Sequence, residues 1–105
     1  MVRKSVAVDR EEIIAKLRAH EAELKAAGIV HLHLHGSVAR GQAGPESDID
    51  LAGQFDKRKR LSLIEMVGLK NRLSDILGVD ADLCDAERLK ERVRANFERE
   101  AELVF

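Results

Sequence analysis

Residues 36–51 read Gly36-Ser37-Val38-Ala39-Arg40-Gly41-Gln42-Ala43-Gly44-Pro45-Glu46-Ser47-Asp48-Ile49-Asp50-Leu51. A Gly-Ser pair opens the segment, a turn-forming stretch containing the only Pro follows, and Asp-Ile-Asp-Leu closes it. Side chains two apart on a strand point to the same side. Asp48 and Asp50 therefore project together, while Ile49 and Leu51 face the opposite way, toward a core. Two adjacent carboxylates repel each other unless a cation lies between them. An all-oxygen pair suits Mg²⁺, which commonly takes one or two carboxylates together with substrate phosphates. The Gly36-Ser37 turn can present backbone N–H groups to those phosphates. Gly36 permits a tight bend and a close backbone approach.

Upstream, Ile29 to His35 alternates. Val30, Leu32 and Leu34 are expected on one side, His31, His33 and His35 on the other, which predicts a half-buried strand that delivers Gly36 and Ser37. Before it, Asp9 with Glu12 has the form of an N-cap, and Ile13, Ile14, Leu17 and Leu24 recur at helical spacing to Ala27, with Gly28 as a left-handed cap. One helix over 9–27 is expected, after an irregular start at Met1 to Val8. Downstream, a second strand runs from Asp48 to Phe55, weakened by Ala52 and Gly53. The basic run Lys57-Arg58-Lys59-Arg60 reads as a solvated connection. Ser62 and Glu65 form a capping box for a helix with the stripe Leu63, Met66, Val67, Leu69, Leu73, Ile76 and Leu77, ended by Gly78.

A third strand is expected over Val79 to Cys84, then a helix from Ala86 to about Glu100, capped by Asp85 and apolar along Leu89, Val93 and Phe97. Leu103 to Phe105 would add a short strand or lie on the core. This order predicts an α/β (α+β) domain over 1–105, with a small mixed β-sheet covered by helices on one face and carboxylates on the other.

The pattern Gly36-Ser37, ten residues, Asp48-x-Asp50 resembles the signature of the DNA polymerase beta-like nucleotidyltransferase superfamily. The fuller form Gly-Ser-Val-Ala-Arg-Gly … Ser-Asp-Ile-Asp-Leu is similar to its smallest branch, the minimal nucleotidyltransferase (MNT) antitoxins. The resemblance implies a third carboxylate on the next strand. Asp82 fits that position best, and Asp80, on the same face by period, is the second choice. On this reading Asp48, Asp50 and Asp82 are catalytic and hold Mg²⁺ as two ions, while Gly36, Ser37, Arg40 and Ser47 contact the nucleotide. A pair of ions about 3.5–4 Å apart can steady the attacking and leaving oxygens of an in-line displacement. Arg40 has a competing role in pairing with Glu46, and Ser47 one as a turn residue.

The resemblance also implies the reaction: transfer of AMP from ATP to a hydroxyl, that of Tyr, on a HEPN-type helical toxin, with this chain as antitoxin. Two other readings stand beside it: an antitoxin that blocks its toxin by occlusion alone, and a transferase acting on a small molecule, for which no acceptor pocket is evident. A dimer could build that pocket between subunits, so a homo-oligomer is an alternative to a hetero-complex.

Bulk properties narrow the classes. A chain of 105 residues supports one compact domain. A net charge of −1 gives no global attraction to nucleic acid or membrane, so neither is an expected partner. The single Cys84 cannot form an internal disulfide, which fits a cytoplasmic setting. Tyr, Trp and Thr are absent, so self-modification on Tyr or Thr is excluded and the acceptor belongs to another molecule. The three His of the first strand could hold a transition metal, but same-side neighbours on one strand lie near 7 Å apart and splay, so they are expected to be solvated or partner-facing, with His35, beside Gly36, a candidate lining residue of the site. Cys84 is expected as a small buried hydrophobe. Ala52-Gly53 departs from the bulky aliphatics that the family pattern has after Asp-Leu.

Overall fold

The computed structural model describes residues 10–36 and 49–105. Helices α1 (Arg10–Ala19) and α2 (Glu21–Ala26) lead into strand β1 (Ile29–His35). Then come β2 (Ile49–Phe55), α3 (Leu63–Leu77), β3 (Ala81–Asp85), a 3₁₀ turn (Ala86–Arg88), α4 (Glu91–Glu100) and β4 (Glu102–Leu103). The sheet order is β3-β2-β1-β4. β1 is antiparallel to β2 and to β4, whereas β2 and β3 run parallel, so the sheet is mixed as expected.

Its covered face is aliphatic. Ile29, Leu32, Leu34, Ile49 and Leu51 from the strands meet Ile13 and Leu17 of α1, Leu24 of α2, and Leu69, Leu73 and Leu77 of α3. Val104, just past β4, joins them, and Phe105 packs alongside. The sheet's inner edge is tied to these last residues through Leu32, whose N–H donates to Phe105 O at 3.1 Å and whose carbonyl accepts from Val104 N at 2.8 Å. Arg18 Nε adds a bond to Val104 O at 2.7 Å.

Several expectations change in detail. The helix expected over 9–27 is broken at His20 (Asp9 itself lies outside the described residues). His20 N–H bonds to Leu17 O, three residues back, which tightens the chain into a 3₁₀-like turn. Its ring lies 3.3 Å from the Glu23 carboxylate. The buried stripe Ile13, Leu17, Leu24 passes through the break unshifted.

In β1 the register slips between Ile29 and His31, which pair with Phe55 and Gln54. Val30 is the extra residue of this bulge and points to solvent, so Ile29 takes the core position expected for Val30.

The helix expected over 86–100 divides. Asp85 caps it, accepting from Glu87 N at 2.9 Å, but only the 3₁₀ turn follows. Leu89 is extended and Val93 is exposed, so neither packs α4 onto the core; the Phe97 side chain lies outside the description.

α3 matches its signals closely. Ser62 Oγ accepts from Glu65 N at 3.1 Å, Glu65 Oε1 accepts from Ser62 N at 2.8 Å, and Gly78 closes the helix at φ 74°. Ser62→Ala removes one of these bonds and should cost about 1 kcal/mol, read as a lowered urea midpoint with an unchanged slope. The first turns of α3 overhang the core, leaving Leu63 and Ile64 80% and 83% exposed, so the stripe buries only from Leu69 onward.

α2 and α3 are joined by Arg72, whose Nε and Nη2 reach Glu23 at 2.5 and 3.0 Å. The guanidinium holds the Glu23 carboxyl well below its ordinary range, down to about 2. A carboxyl depressed on folding stabilises the fold above its ordinary value and loses that contribution as pH falls toward the folded value. The stability difference between the wild type and Glu23→Gln should therefore be largest above pH 5 and close as pH falls toward 2, measured as unfolding midpoints across that window.

Candidate active site

The end of β1 meets the starts of β2 and β3 on the sheet face opposite the aliphatic core. His35 pairs with Asp50 across the β1–β2 ladder, and Asp50 pairs with Asp82 across the β2–β3 ladder. His35, Asp50 and Asp82 thus form one row over three strands. Paired residues on neighbouring strands share a face and stand about 4.8 Å apart, so two carboxylates so placed can reach one cation. Asp50 is half-buried and Asp82 is exposed.

Gly36 turns the chain immediately after β1 at φ 79°, a left-handed conformation. A Cβ there would collide with Asp50 Oδ2 and lie 3.1 Å from Asp50 Cγ and 3.2 Å from Asp50 Cβ. The bare backbone of the turn and the Asp50 carboxylate therefore occupy adjoining space that a side chain would fill. Ser37, Arg40, Ser47 and Asp48 lie outside the described residues.

The two third-carboxylate candidates separate. β3 begins at Ala81, not Val79, so Asp80 precedes the strand. Its backbone carbonyl accepts from Ile49 N at 3.2 Å, which leaves it to close the approach to the ladder, while Asp82 takes the place opposite Asp50. The donors in this row are carboxylate oxygens, the set that a hard cation such as Mg²⁺ prefers. Among the described residues no three His, Cys, Asp or Glu side chains already converge into a metal cluster.

Two further groups border the row. Cys84 Sγ lies 3.9 Å from His35 Nε2, and the thiol is half-buried rather than sealed in the core. Burial pushes the Cys84 thiol up, reinforced by the charges of Asp50, Asp85 and Asp82. Burial likewise pulls His35 down, against the opposing pull of Asp50. His33 is lowered too, first by burial. Sequence reasoning had His35 beside Gly36 but not its contact with Cys84. The available signal was parity: Cys84 is two residues after Asp82, so it shares that face.

The basic run is a structural connection. Arg58 pairs with Asp56 at 3.1 Å, Lys59 Nζ caps Ala26 O at 3.0 Å, and Lys57 reaches Glu87 at 3.4 Å. A cleft of about 640 Å³ lies at the other end of β2 and β3, between Phe55, Leu61, Met66 and Leu83, and neither Asp50 nor Asp82 lines it.

Comparison with known proteins gives this geometry a context. Residues 11–105 match the family model described as polymerase beta, nucleotidyltransferase. The protein adenylyltransferase MntA of Thermococcus cleftensis is 33% identical over 95 residues, spanning 90% of this chain and 94% of its own. A solved structure described provisionally as a minimal nucleotidyltransferase superposes with TM-score 0.75 at 34% identity, covering 90% of this chain and 95% of that one. An MNT antitoxin in complex with a tri-AMPylated HEPN toxin of Shewanella oneidensis superposes with TM-score 0.65, covering 91% and 71% of the two chains. At 18% identity that last likeness is one of fold.

Proposed function

Because the chain belongs to the polymerase beta nucleotidyltransferase family, in its minimal nucleotidyltransferase branch, we propose that it transfers AMP from ATP to a Tyr hydroxyl of a HEPN-type helical toxin and thereby acts as that toxin's antitoxin. The observation that carries this reading is the Asp50–Asp82 pair, in register on neighbouring strands and set against the Gly36 turn. Support for the substrate and the partner comes from relatives: MntA is a protein adenylyltransferase, and fold neighbours include a toxin–antitoxin structure with AMP-PNP and the AMPylated toxin complex.

On this reading Asp48, Asp50 and Asp82 would hold Mg²⁺, which would supply positive charge against that developing on the phosphates. Gly36 and Ser37 would offer N–H and hydroxyl donors to the β- and γ-phosphates, with Arg40 and Ser47 as the other nucleotide contacts. The acceptor oxygen attacks the α-phosphorus, pyrophosphate departs, and the acceptor's proton passes to a carboxylate, for which Asp82 is the exposed candidate. Positioning and charge stabilisation supply most of the acceleration. A cytoplasmic setting belongs to the same reading; no helix among the described residues is long and apolar enough to cross a membrane.

Incubating the chain with α-labelled ATP, Mg²⁺ and the helical protein encoded beside it tests the proposal. Label on a partner Tyr is the expected result; an unlabelled partner, under conditions where ATP binds, would overturn it. A double Asp48→Asn, Asp50→Asn variant that still binds and fully silences the partner would instead show that occlusion suffices.

A further inference from the structure

We propose that the cleft between the start of α3 and the far ends of β2 and β3 is a docking groove for an acidic amphipathic helix of a partner protein. Its lining is largely apolar. Phe55, Leu61 and Leu83 pack against the edge of the aliphatic core and line the cleft on one side. Leu63, Met66 and Val67 of α3 line it on the other. Leu63 is 80% exposed and Val67 49%, and Ile64 in the same turn is 83% exposed. The fold has no need of three large aliphatics here, because the Ser62–Glu65 box sets the start of α3 and its stripe buries only from Leu69 onward. Adjoining exposed aliphatics beside a cleft mark an interaction surface. Leu63, Val67 and Lys70 fall on one helical stripe (i, i+4, i+7), about 10 Å long at about 1.5 Å per residue, the length of two turns of an incoming helix.

Charge selects the occupant. The acids that line the cleft are already engaged: Asp56 by Arg58 at 3.1 Å, Glu87 by Lys57 at 3.4 Å and Asp85 by Arg88 at 3.7 Å. Two lining cations are left over. Arg60 and Lys70 have no hydrogen bond or ion pair among the described residues. Arg60 also holds φ 46°, a left-handed position that glycine adopts more readily, so the chain keeps a cation there against a local conformational cost.

A helix with an aliphatic stripe flanked by carboxylates meets both features at once, its apolar face in the groove and its acids on Arg60 and Lys70. A two-fold contact with a second copy would instead set these cations against their own equivalents. A bilayer is flat and does not follow a cleft walled on two sides. Phe55 lies five residues beyond Asp50 in β2, about 17 Å at about 3.3 Å per residue. A partner protein seated in the groove is thus near enough to span to the carboxylate row and far enough away to leave it open. Binding energy from such a remote contact serves to place an acceptor at the reacting centre, a consequence that rests on the function proposed above.

Titrating a synthetic helical peptide into the full-length chain, without nucleotide, tests the groove independently of catalysis. The probe has about five turns, a Leu stripe at helical spacing, Glu on both flanks and one Trp; its counterpart carries Lys in place of Glu. The chain has no Trp or Tyr, so the Trp emission reports on the peptide alone. The expected result is a saturable blue shift with the acidic peptide, weakened by salt, and about tenfold weaker binding of the Lys peptide. Lys70→Glu, Arg60→Gly and Val67→Ser should each weaken the acidic peptide about tenfold with native circular dichroism, since each alters a lining residue and Arg60→Gly keeps the turn. Lys16→Glu on α1, outside the groove, should leave binding unchanged. Equal affinity for the two peptides, or undiminished binding in both Lys70→Glu and Val67→Ser, would overturn the proposal. Binding to phosphatidylserine vesicles, or a concentration-dependent dimer, that is lost in Leu63→Ser would assign the patch to a bilayer or to a second copy and overturn it equally. If Arg60→Gly does not fold, Lys70→Glu decides. In a separate arm, Lys70→Glu should raise the KM for the partner protein about tenfold while kcat and the KM for ATP stay constant; peptide binding without that change would uphold the groove and count against the assigned acceptor.

Discussion

Gly36→Ala should lower nucleotidyl transfer by about 100-fold, the scale at which a displacement of about 1 Å is felt at a reacting centre. Two effects combine at this residue. Its φ of 79° lies in the left-handed region, where a Cβ costs roughly 1–2 kcal/mol. That Cβ would also occupy the space of the Asp50 carboxylate, whose Cγ it would approach to 3.1 Å. The carboxylate is the moveable partner, so the collision is expected to rotate Asp50 out of the row it shares with Asp82. The first effect appears as a melting temperature lowered by several degrees in a domain of this size; the second appears in kcat with native-like circular dichroism. A variant with native kcat would show that the turn and the carboxylate do not act together.

Asp50→Asn should be more severe for activity and milder for stability. Removing one charge from the pair leaves the row without one of its two described carboxylates and should cost about 10³-fold or more in kcat, at the upper end for loss of a single charge-stabilising group. The fold should be unharmed, because Asp50 and Asp82 are like charges one strand apart, and neutralising one relieves their repulsion. Asp82→Asn should behave in the same direction. Asp80→Asn is the discriminating comparison: Asp80 precedes β3 and contributes a backbone carbonyl to Ile49 N, a bond that Asn retains. Its activity should stay within a few fold of wild type. Equal losses at Asp80 and Asp82 would remove the argument from register.

Much of this arrangement was legible before any coordinates, for identifiable reasons. The Ser62–Glu65 box and Gly78 specify α3 through local hydrogen bonds and one backbone angle, which depend little on the rest of the chain. The alternation in β1 and the Asp-x-Asp of β2 specify faces, because strand parity is geometric. What escaped was non-local. The bulge at Val30 reflects how β1 aligns with Phe55 and Gln54, which β1 alone does not encode. The break at His20 preserves the apolar stripe and so leaves no trace in periodicity. The overhang of Leu63 and Ile64 depends on where the sheet ends beneath α3, and the exposure of Val93 on what lies beneath α4. The start of β3 lies two residues later than its composition suggests, which sets Asp80 before the strand and Asp82 within it. The His35–Cys84 contact needed the register of two ladders at once.

One consequence of the ladder pairing concerns tolerance to change. The separation of the acidic groups at 50 and 82 is inherited from main-chain amides, as the pitch of a comb is inherited from its spine. Core substitutions such as Leu51→Val should therefore leave turnover per intact molecule constant and alter only how many molecules are intact. Catalytic output would then fall in proportion to the unfolded population, and would return in full on cooling.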